Sequence, residues 1–307
     1  DMAPTFADDG ILAGLSAEVL RCLQHWRNVM PGLGLRLSSL VVTPAAGNRA
    51  MSDQIDVQSF LDCGAQFANN LEILKSPIGT KLYCQEFCDA AVKKHVEVAQ
   101  AIGNLKDAQV AHYLMRWSCN ASRMNYVCRT TPHDLCASSL ETFDEAVGDA
   151  LRQSTSLPLN DNQLTQATFS VKQGGIGLRS AVATSDAAYL GSRGVTHARC
   201  QALREGHSWD ISPNSYLALA ANRCNSIMSS AGMLHRIDLT HTLYQKNISK
   251  HINVARVLIW DQKAVPDDAC NRRAYAAPLA GKILGVVPSK TLDKYLTRLE
   301  FVTDVAL

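Results

Sequence analysis

No uninterrupted apolar stretch in these 307 residues reaches the roughly 18 that a membrane-spanning helix needs. The first residues also lack the basic and apolar regions of a signal peptide, so a soluble, intracellular protein without a membrane partner is expected. Charge is scarce, at 19% of residues, and nearly balanced, with 30 basic against 28 acidic side chains and a formal net charge of +2. That balance neither demands nor excludes a polyanionic partner, because local clustering outweighs the sum. There is no internal repeat, no low-complexity tract and no His-Glu-x-x-His pair, which removes solenoids and one class of zinc hydrolase from consideration. Nothing in the sequence favours a Ser-His-Asp hydrolase either.

What the chain does have is apolar side chains, 47% of the total, enough for two or three packed units. The ten cysteines are scattered through apolar patterns rather than set in a short framework, so most are expected to be reduced core residues. Cys84, Cys88 and His95 share neighbouring helical turns but lack a fourth ligand at zinc-finger spacing. The chain opens on Asp-Met and closes on "EFVTDVAL" inside a helical pattern without a stop signal, so both ends read as cut.

Along the chain, "PTFADDGILAG" supplies turn-forming residues over Ala7 to Gly10, between two runs suited to a strand-turn-strand unit. Ser16 is placed to cap a helix whose face carries Val19, Leu23, Trp26 and Met30 and which Pro31 and Gly32 should end. "GLGLRLSSLVVTP" and "NLEILKSPIG" are β-rich stretches bounded by Gly and Pro, giving a mixed unit over residues 1–80. From Lys81 the texture turns to amphipathic helices, one with Tyr83, Phe87, Ala91, Val98 and Ile102 on a face and another with Cys136, Leu140, Phe143, Val147 and Leu151. Asp107 is placed to cap a helix between them. "AVPDDACNRR" reads as a break before the last segment.

Asp8 and Asp9 stand side by side on the first turn. Most Asp-Asp pairs are solvated surface turns, and Asp267-Asp268 is read that way. A turn between paired strands differs, because it holds carboxylate oxygens rigidly where divalent cations bridge to phosphates.

The order "FADDG", helix, "GLGLRLS", "LEILKSPIG" resembles the palm end of reverse transcriptases, particularly those of non-LTR retroelements. The likeness continues through "MRWSCNASRMNYVCRTTP", "GGIGLRSA", "AAYLGS" and the late "AGKILGVVPSKTLDKYLTRLEF". It implies an α+β, mainly α fold: a partial palm over 1–80, a helical thumb over 81–157 and a helical C-terminal extension over 158–307. It implies that Asp8 and Asp9 are catalytic metal ligands for Mg2+ or Mn2+, and that Leu74, Lys75, Ser76, Pro77, Ile78 and Gly79 form a primer grip. The implied reaction is two-metal nucleotidyl transfer from a deoxynucleoside triphosphate to a DNA primer on an RNA template. A further palm aspartate and the fingers would precede Asp1, so these residues alone are expected not to extend a primer. Two departures, Lys75 where glycine is usual and "SSLVV" at Ser38 to Val42 where a lysine is expected, point to a second reading: a noncatalytic nucleic-acid-binding remnant. A helical interaction protein with an accidental Asp-Asp turn is the third.

Lys81, Lys93, Lys94, Arg116 and Arg123 are the candidate phosphate contacts, with Lys106 and Arg129 in the same region, although Glu86, Asp89, Glu97 and Asp107 interleave with them. Trp117, Tyr126 and Trp260 are expected in the core. "ATFSVKQGGIGLRSA" imitates a dinucleotide fingerprint but has Ser180 where the third glycine belongs and no βαβ series around it, so a tight turn before a helix is expected.

Overall fold

The computed structural model describes residues 5–6, 9–12, 14–36, 39–43, 56–239 and 243–276, with backbone alone at 5–6, 9–10 and 274–275. Among the described residues helix accounts for 67% and strand for 4%, the mainly helical α+β composition expected. The chain divides into two compact units, Asp1–Tyr83 and Cys84–Leu307.

In the first unit, β1 (Thr5–Phe6) pairs antiparallel with β2 (Asp9–Gly10) in the register Phe6 opposite Asp9; a strand pair forms as expected, but Asp9 and Gly10, expected in the turn, make its second strand, and Ile11 and Leu12 are not in a strand. Helix α1 (Ser16–Val29) has Leu15, not Ser16, at its N-cap position, with no side-chain capping bond there. The α-helix ends at Val29, just before Pro31 and Gly32, as expected. They sit in a 3-10 turn, Met30–Leu33, because proline fits the first turn of such a helix, and Gly34 at φ 72° closes it. Of the β-rich stretch that follows, Val41–Val42 forms β3, which pairs parallel with β4 (Gln66–Phe67), and α2 (Val57–Asp62) lies between them in sequence. Leu23, Phe60 and Ala65 make a small core, with Phe67 edge-on to Phe60 at 6.1 Å between ring centroids. A hairpin of β5 (Leu71–Ile73) and β6 (Ser76–Ile78) completes the unit.

The helices that follow are α3 (Lys81–Gly103), α4 (Ala108–Ser118), α5 (Ala121–Thr130), α6 (His133–Thr155), α7 (Asp161–Ala167), α8 (Ala181–Leu203), α9 (Tyr216–Ser230), α10 (Gln245–Lys263) and α11 (Pro266–Tyr275). Local chemistry sets most of their starts. Asp107 caps α4 as expected, its Oδ1 accepting from Val110 N at 2.9 Å. Asn120, Ser180 and Ser215 cap α5, α8 and α9, and Asn160 with Gln163 forms a reciprocal capping box on α7. The "AVPDDACNRR" stretch is not a break but α11, begun by Pro266 with Asp267 and Asp268 in its first turn, where carboxylates favour the helix dipole.

The predicted face of α6 is buried throughout: Cys136, Leu140, Phe143, Val147 and Leu151. The face of α3 is borne out in part: Ile102 is buried as expected, and Tyr83, Phe87 and Ala91 are half-buried. Cys84, Cys88, Val92, Ala99 and Ile102 are inward, while Val98 is exposed, because small cysteine and alanine side chains permit closer helix contact than Tyr83 and Phe87. One core runs from Cys88 to Ala188 and draws on both sides of Leu157, and a second gathers α8, α9 and α10 around Leu190, Met228 and Ile252. All ten cysteines are free, and six are buried. Burial pushes the Cys119 thiol up to about 11 and those of Cys128 and Cys224 up to about 12, so these three stay protonated near neutrality.

Candidate functional site

In the first unit the antiparallel register sets Asp9, the second residue of the Asp-Asp box, in β2 opposite Phe6 of β1. Asp8 and the side chain of Asp9 lie outside the described residues, as does the late segment "AGKILGVVPSKTLDKYLTRLEF". Leu74 to Gly79 is described in full. Its closing pair is Ile73 opposite Ser76, so Leu74 and Lys75 form a two-residue turn, and both adopt left-handed backbone, φ 48° and 62°. A turn of this shape favours Asn-Gly, and here the chain carries non-glycine residues in a conformation that glycine adopts freely. The Lys75 ammonium lies 2.7 Å from the Glu72 carboxylate. Gly79 sits against Asn70, whose Oδ1 accepts from Thr80 N at 2.9 Å and so ties the end of the hairpin back to its start.

In the second unit, the basic side chains converge where α4 meets α5. Asn120 makes this corner: its side-chain amide donates to the Arg116 carbonyl, and its Oδ1 accepts from Ser122 N at 2.8 Å. Arg123 reaches back across it, Nε donating to the Ser118 carbonyl at 3.0 Å. The Arg116 guanidinium lies 5.5 Å from the centre of the Trp117 ring. Trp117 is 56% exposed and Tyr126 47%, which overturns the expectation that both are core residues; Trp260, 6% exposed, is one, its indole N–H donating to the Asn162 carbonyl. Each of the two exposed rings falls on the outward side of a short helix whose inward side is already filled by Met115 or by Met124 and Cys128.

Like charges crowd this corner. Burial, and then the positive charges of Arg123 and Lys94, hold His95 below its ordinary value. Burial and then Arg179 hold the Arg116 guanidinium below its own. Lys94, Arg116 and Arg123 therefore share a basic field with Arg179, a residue that sequence reasoning passed over. Lys81 and Lys93 are exposed on α3 and are not drawn into it by any described contact. Two of the interleaved acids are used internally: Asp89 accepts from Ser139 Oγ at 2.6 Å, and Asp107 is a helix cap.

The "GGIGL" stretch positions Arg116 and Arg179. It is the tight turn expected and not a nucleotide fingerprint, since a 3-10 turn at Val171–Gln173 precedes it where a strand is required. Gly175 packs against the carbonyls of Gln166 and Phe169 so closely that a Cβ would lie 2.4 Å from both. Gly177, at φ 82°, passes beneath the Arg116 side chain. His112 Nε2 faces the Ile176 carbonyl at 3.0 Å and fixes the turn to α4. Among the described residues no group of three or more His, Cys, Asp or Glu side chains is arranged to hold a metal ion, the Cys84, Cys88 and His95 set included. No described helix is long and apolar enough to cross a membrane.

Comparison of the chain with protein-family models, curated proteins and solved structures found no match.

Proposed function

We propose that this chain is the C-terminal part of a reverse-transcriptase palm followed by a helical nucleic-acid-binding region, from an RNA-directed DNA polymerase of non-LTR type. The observation that carries the reading is the antiparallel pairing of Phe6 with Asp9, which sets the second aspartate of the box in a two-stranded ribbon. The second hairpin, "LEILKSPIG", follows after a helix and a strand pair in the order that the resemblance requires. The exposed Trp117, flanked by Arg116 and Arg123, adds a surface of the kind that stacks bases while neutralising phosphates.

Asp8 and Asp9 supply carboxylate oxygens, the hard donors that suit Mg2+ or Mn2+. When bound, such ions activate the primer hydroxyl and stabilise the departing pyrophosphate. The chain's own contribution is to supply the two carboxylates and to bind template and primer without reading their sequence, which base pairing does. The test uses the reading frame extended upstream to include the rest of the palm and the fingers. Magnesium-dependent incorporation of deoxynucleotides on an RNA template is expected, falling about a hundredfold or more in Asp8→Ala. Incorporation that survives this substitution overturns the assignment.

A second reading, the noncatalytic remnant, draws on Lys75, whose ammonium is engaged by Glu72 in a turn where the family carries glycine. Primer-template binding that weakens with salt, together with no incorporation by the extended protein, selects it over the enzyme.

A further inference from the structure

A recess of about 310 Å3 opens in the second unit between the 3-10 turn at Val171–Gln173, the start of α8 and the middle of α10. Its charge is one-sided. Lys172, Arg179 and Lys250 stand exposed around it, and Arg256 lies deeper. None of the ion pairs among the described residues includes any of these four cations.

The Arg256 guanidinium is fixed. Its Nη2 donates to Thr168 Oγ1 at 3.0 Å, and its plane lies 5.6 Å from the centre of the Phe169 ring. One carboxylate, Asp144, acts on it, but Asp144 already accepts from Ser180 Oγ at 2.6 Å, Ala181 N at 2.7 Å and Val182 N at 3.2 Å. The start of α8 is thus satisfied by protein groups and is not itself an anion site. No acidic side chain lines the recess beside its four cations, the one carboxylate acting on Arg256 is committed elsewhere, and burial holds Arg256 below its ordinary value, a cost that an incoming anion relieves.

We propose that this recess binds a phosphate ester, a phosphorylated sugar or the equivalent group of a nucleic-acid strand. A fixed guanidinium with three exposed cations suits a multiply charged tetrahedral oxyanion better than a single carboxylate. The volume is at the low end of the roughly 300–1,000 Å3 typical of small-molecule sites, so it takes more than the phosphate alone. No aromatic side chain lines it, so the recess reads phosphate and sugar and not the base. None of Asp8, Asp9 or Leu74 to Gly79 enters this inference, which stands apart from the polymerase reading.

The test is calorimetric titration of the full chain with ribose 5-phosphate, with inorganic phosphate and with short oligonucleotides carrying a 5′-phosphate or a 5′-hydroxyl. The double variant Lys172→Gln, Lys250→Gln removes two exposed charges and should melt as the parent does. Arg204→Gln, Arg236→Gln, two exposed side chains outside the recess lining, is the charge-matched control. Ribose 5-phosphate affinity is expected to fall about tenfold or more in the first variant and to hold in the control. Displacement by the 5′-phosphorylated strand alone assigns the ligand to a strand end. Displacement by both strands assigns it to backbone phosphodiesters, and displacement by neither assigns it to a free sugar phosphate; each outcome upholds the site. An equal fall in both variants, or no saturable binding of any probe up to about 10 mM, overturns it.

Discussion

The His112 ring and the Ile176 carbonyl meet at 3.0 Å across 64 residues of sequence, joining α4 to the glycine turn that precedes α8. His112 is buried, and that burial holds it down to about 4 from an ordinary 6.5, with nearby Arg116 adding to the effect. The neutral ring, donating from Nε2, is the form the fold selects.

A pH dependence follows from this. The folded value is depressed, so the unfolded chain binds the proton first. The contribution of His112 is complete above about pH 6.5 and is lost progressively as pH falls toward about 4, to a total on the order of 3 kcal/mol. Urea unfolding of the parent at pH 7 and pH 4.5 should show this loss, and His112→Gln should remove most of the difference. Equal pH slopes in the two proteins would rule out His112 as its source.

Asp144 is the second point at which α8 is anchored. Burial raises its value above the ordinary 3.8, although Ser180 Oγ and the Ala181 and Val182 amides all donate to it. Asp144→Ala leaves those donors in a dry site and is expected to cost about 2–3 kcal/mol in thermal or chemical unfolding. Asp144→Asn keeps one acceptor oxygen and carries no charge to desolvate, so it should cost clearly less. A larger loss in the Asn variant than in the Ala variant would contradict this account.

The left-handed turn at Leu74 and Lys75 predicts a gain. Each residue pays on the order of 1 kcal/mol for its backbone conformation, and Asn-Gly is the pair that adopts it most readily. Leu74→Asn with Lys75→Gly should therefore increase amide exchange protection in the hairpin of β5 and β6. The lost contact with Glu72 is solvent-exposed and offsets little of this. Unchanged or weaker protection would show that the turn is held by something other than its own backbone preference.

Trp117 and Arg116 provide a prediction tied to the proposed function. A base stacked on the exposed ring is worth about 1–3 kcal/mol, so Trp117→Ala should weaken single-stranded nucleic-acid binding by roughly tenfold without lowering the melting temperature. Trp260→Ala should do the reverse, destabilising the fold, because its ring packs on Phe169 at 6.2 Å and its N–H is bonded to Asn162. Fluorescence anisotropy and thermal melts separate the two effects.

Local signals were legible where one helix turn contains the whole message. The capping by Asp107, the buried face of α6 and the strand pair that includes Asp9 all follow from residues within a few positions of one another. The α3 face was misread in part because cysteine and alanine, light in any hydrophobic pattern, take the interior when helices pack closely. Trp117 and Tyr126 were misread because helical spacing says which residues share a face and not which face is covered. The recess at Arg256 had no signal at all. Lys172 and Arg179 are far from Lys250 and Arg256 in sequence, and only the packing of α8 against α10 brings them together.

Arg223 carries the last prediction. From α9 it makes a two-bond fork to Asp134 of α6, both at 2.9 Å, and a second to Asp186 of α8 at 2.9 and 2.8 Å, so one guanidinium ties three helices. Its N–H donors are arranged in a plane that a lysine ammonium cannot reproduce. Burial opposes ionisation of Asp134, but the Arg223 hydrogen bonds and charge prevail and hold it below the ordinary 3.8. The pairing therefore contributes in full above about pH 3.8 and fades as pH falls through the lower folded value. All three side chains are partly open to solvent, which places the loss for Arg223→Met at about 2 kcal/mol, below the 3–5 typical of a fully buried pair. Arg223→Lys should recover less than half of it. If Lys restores the parent's stability, charge alone holds the three helices and the fork geometry is incidental.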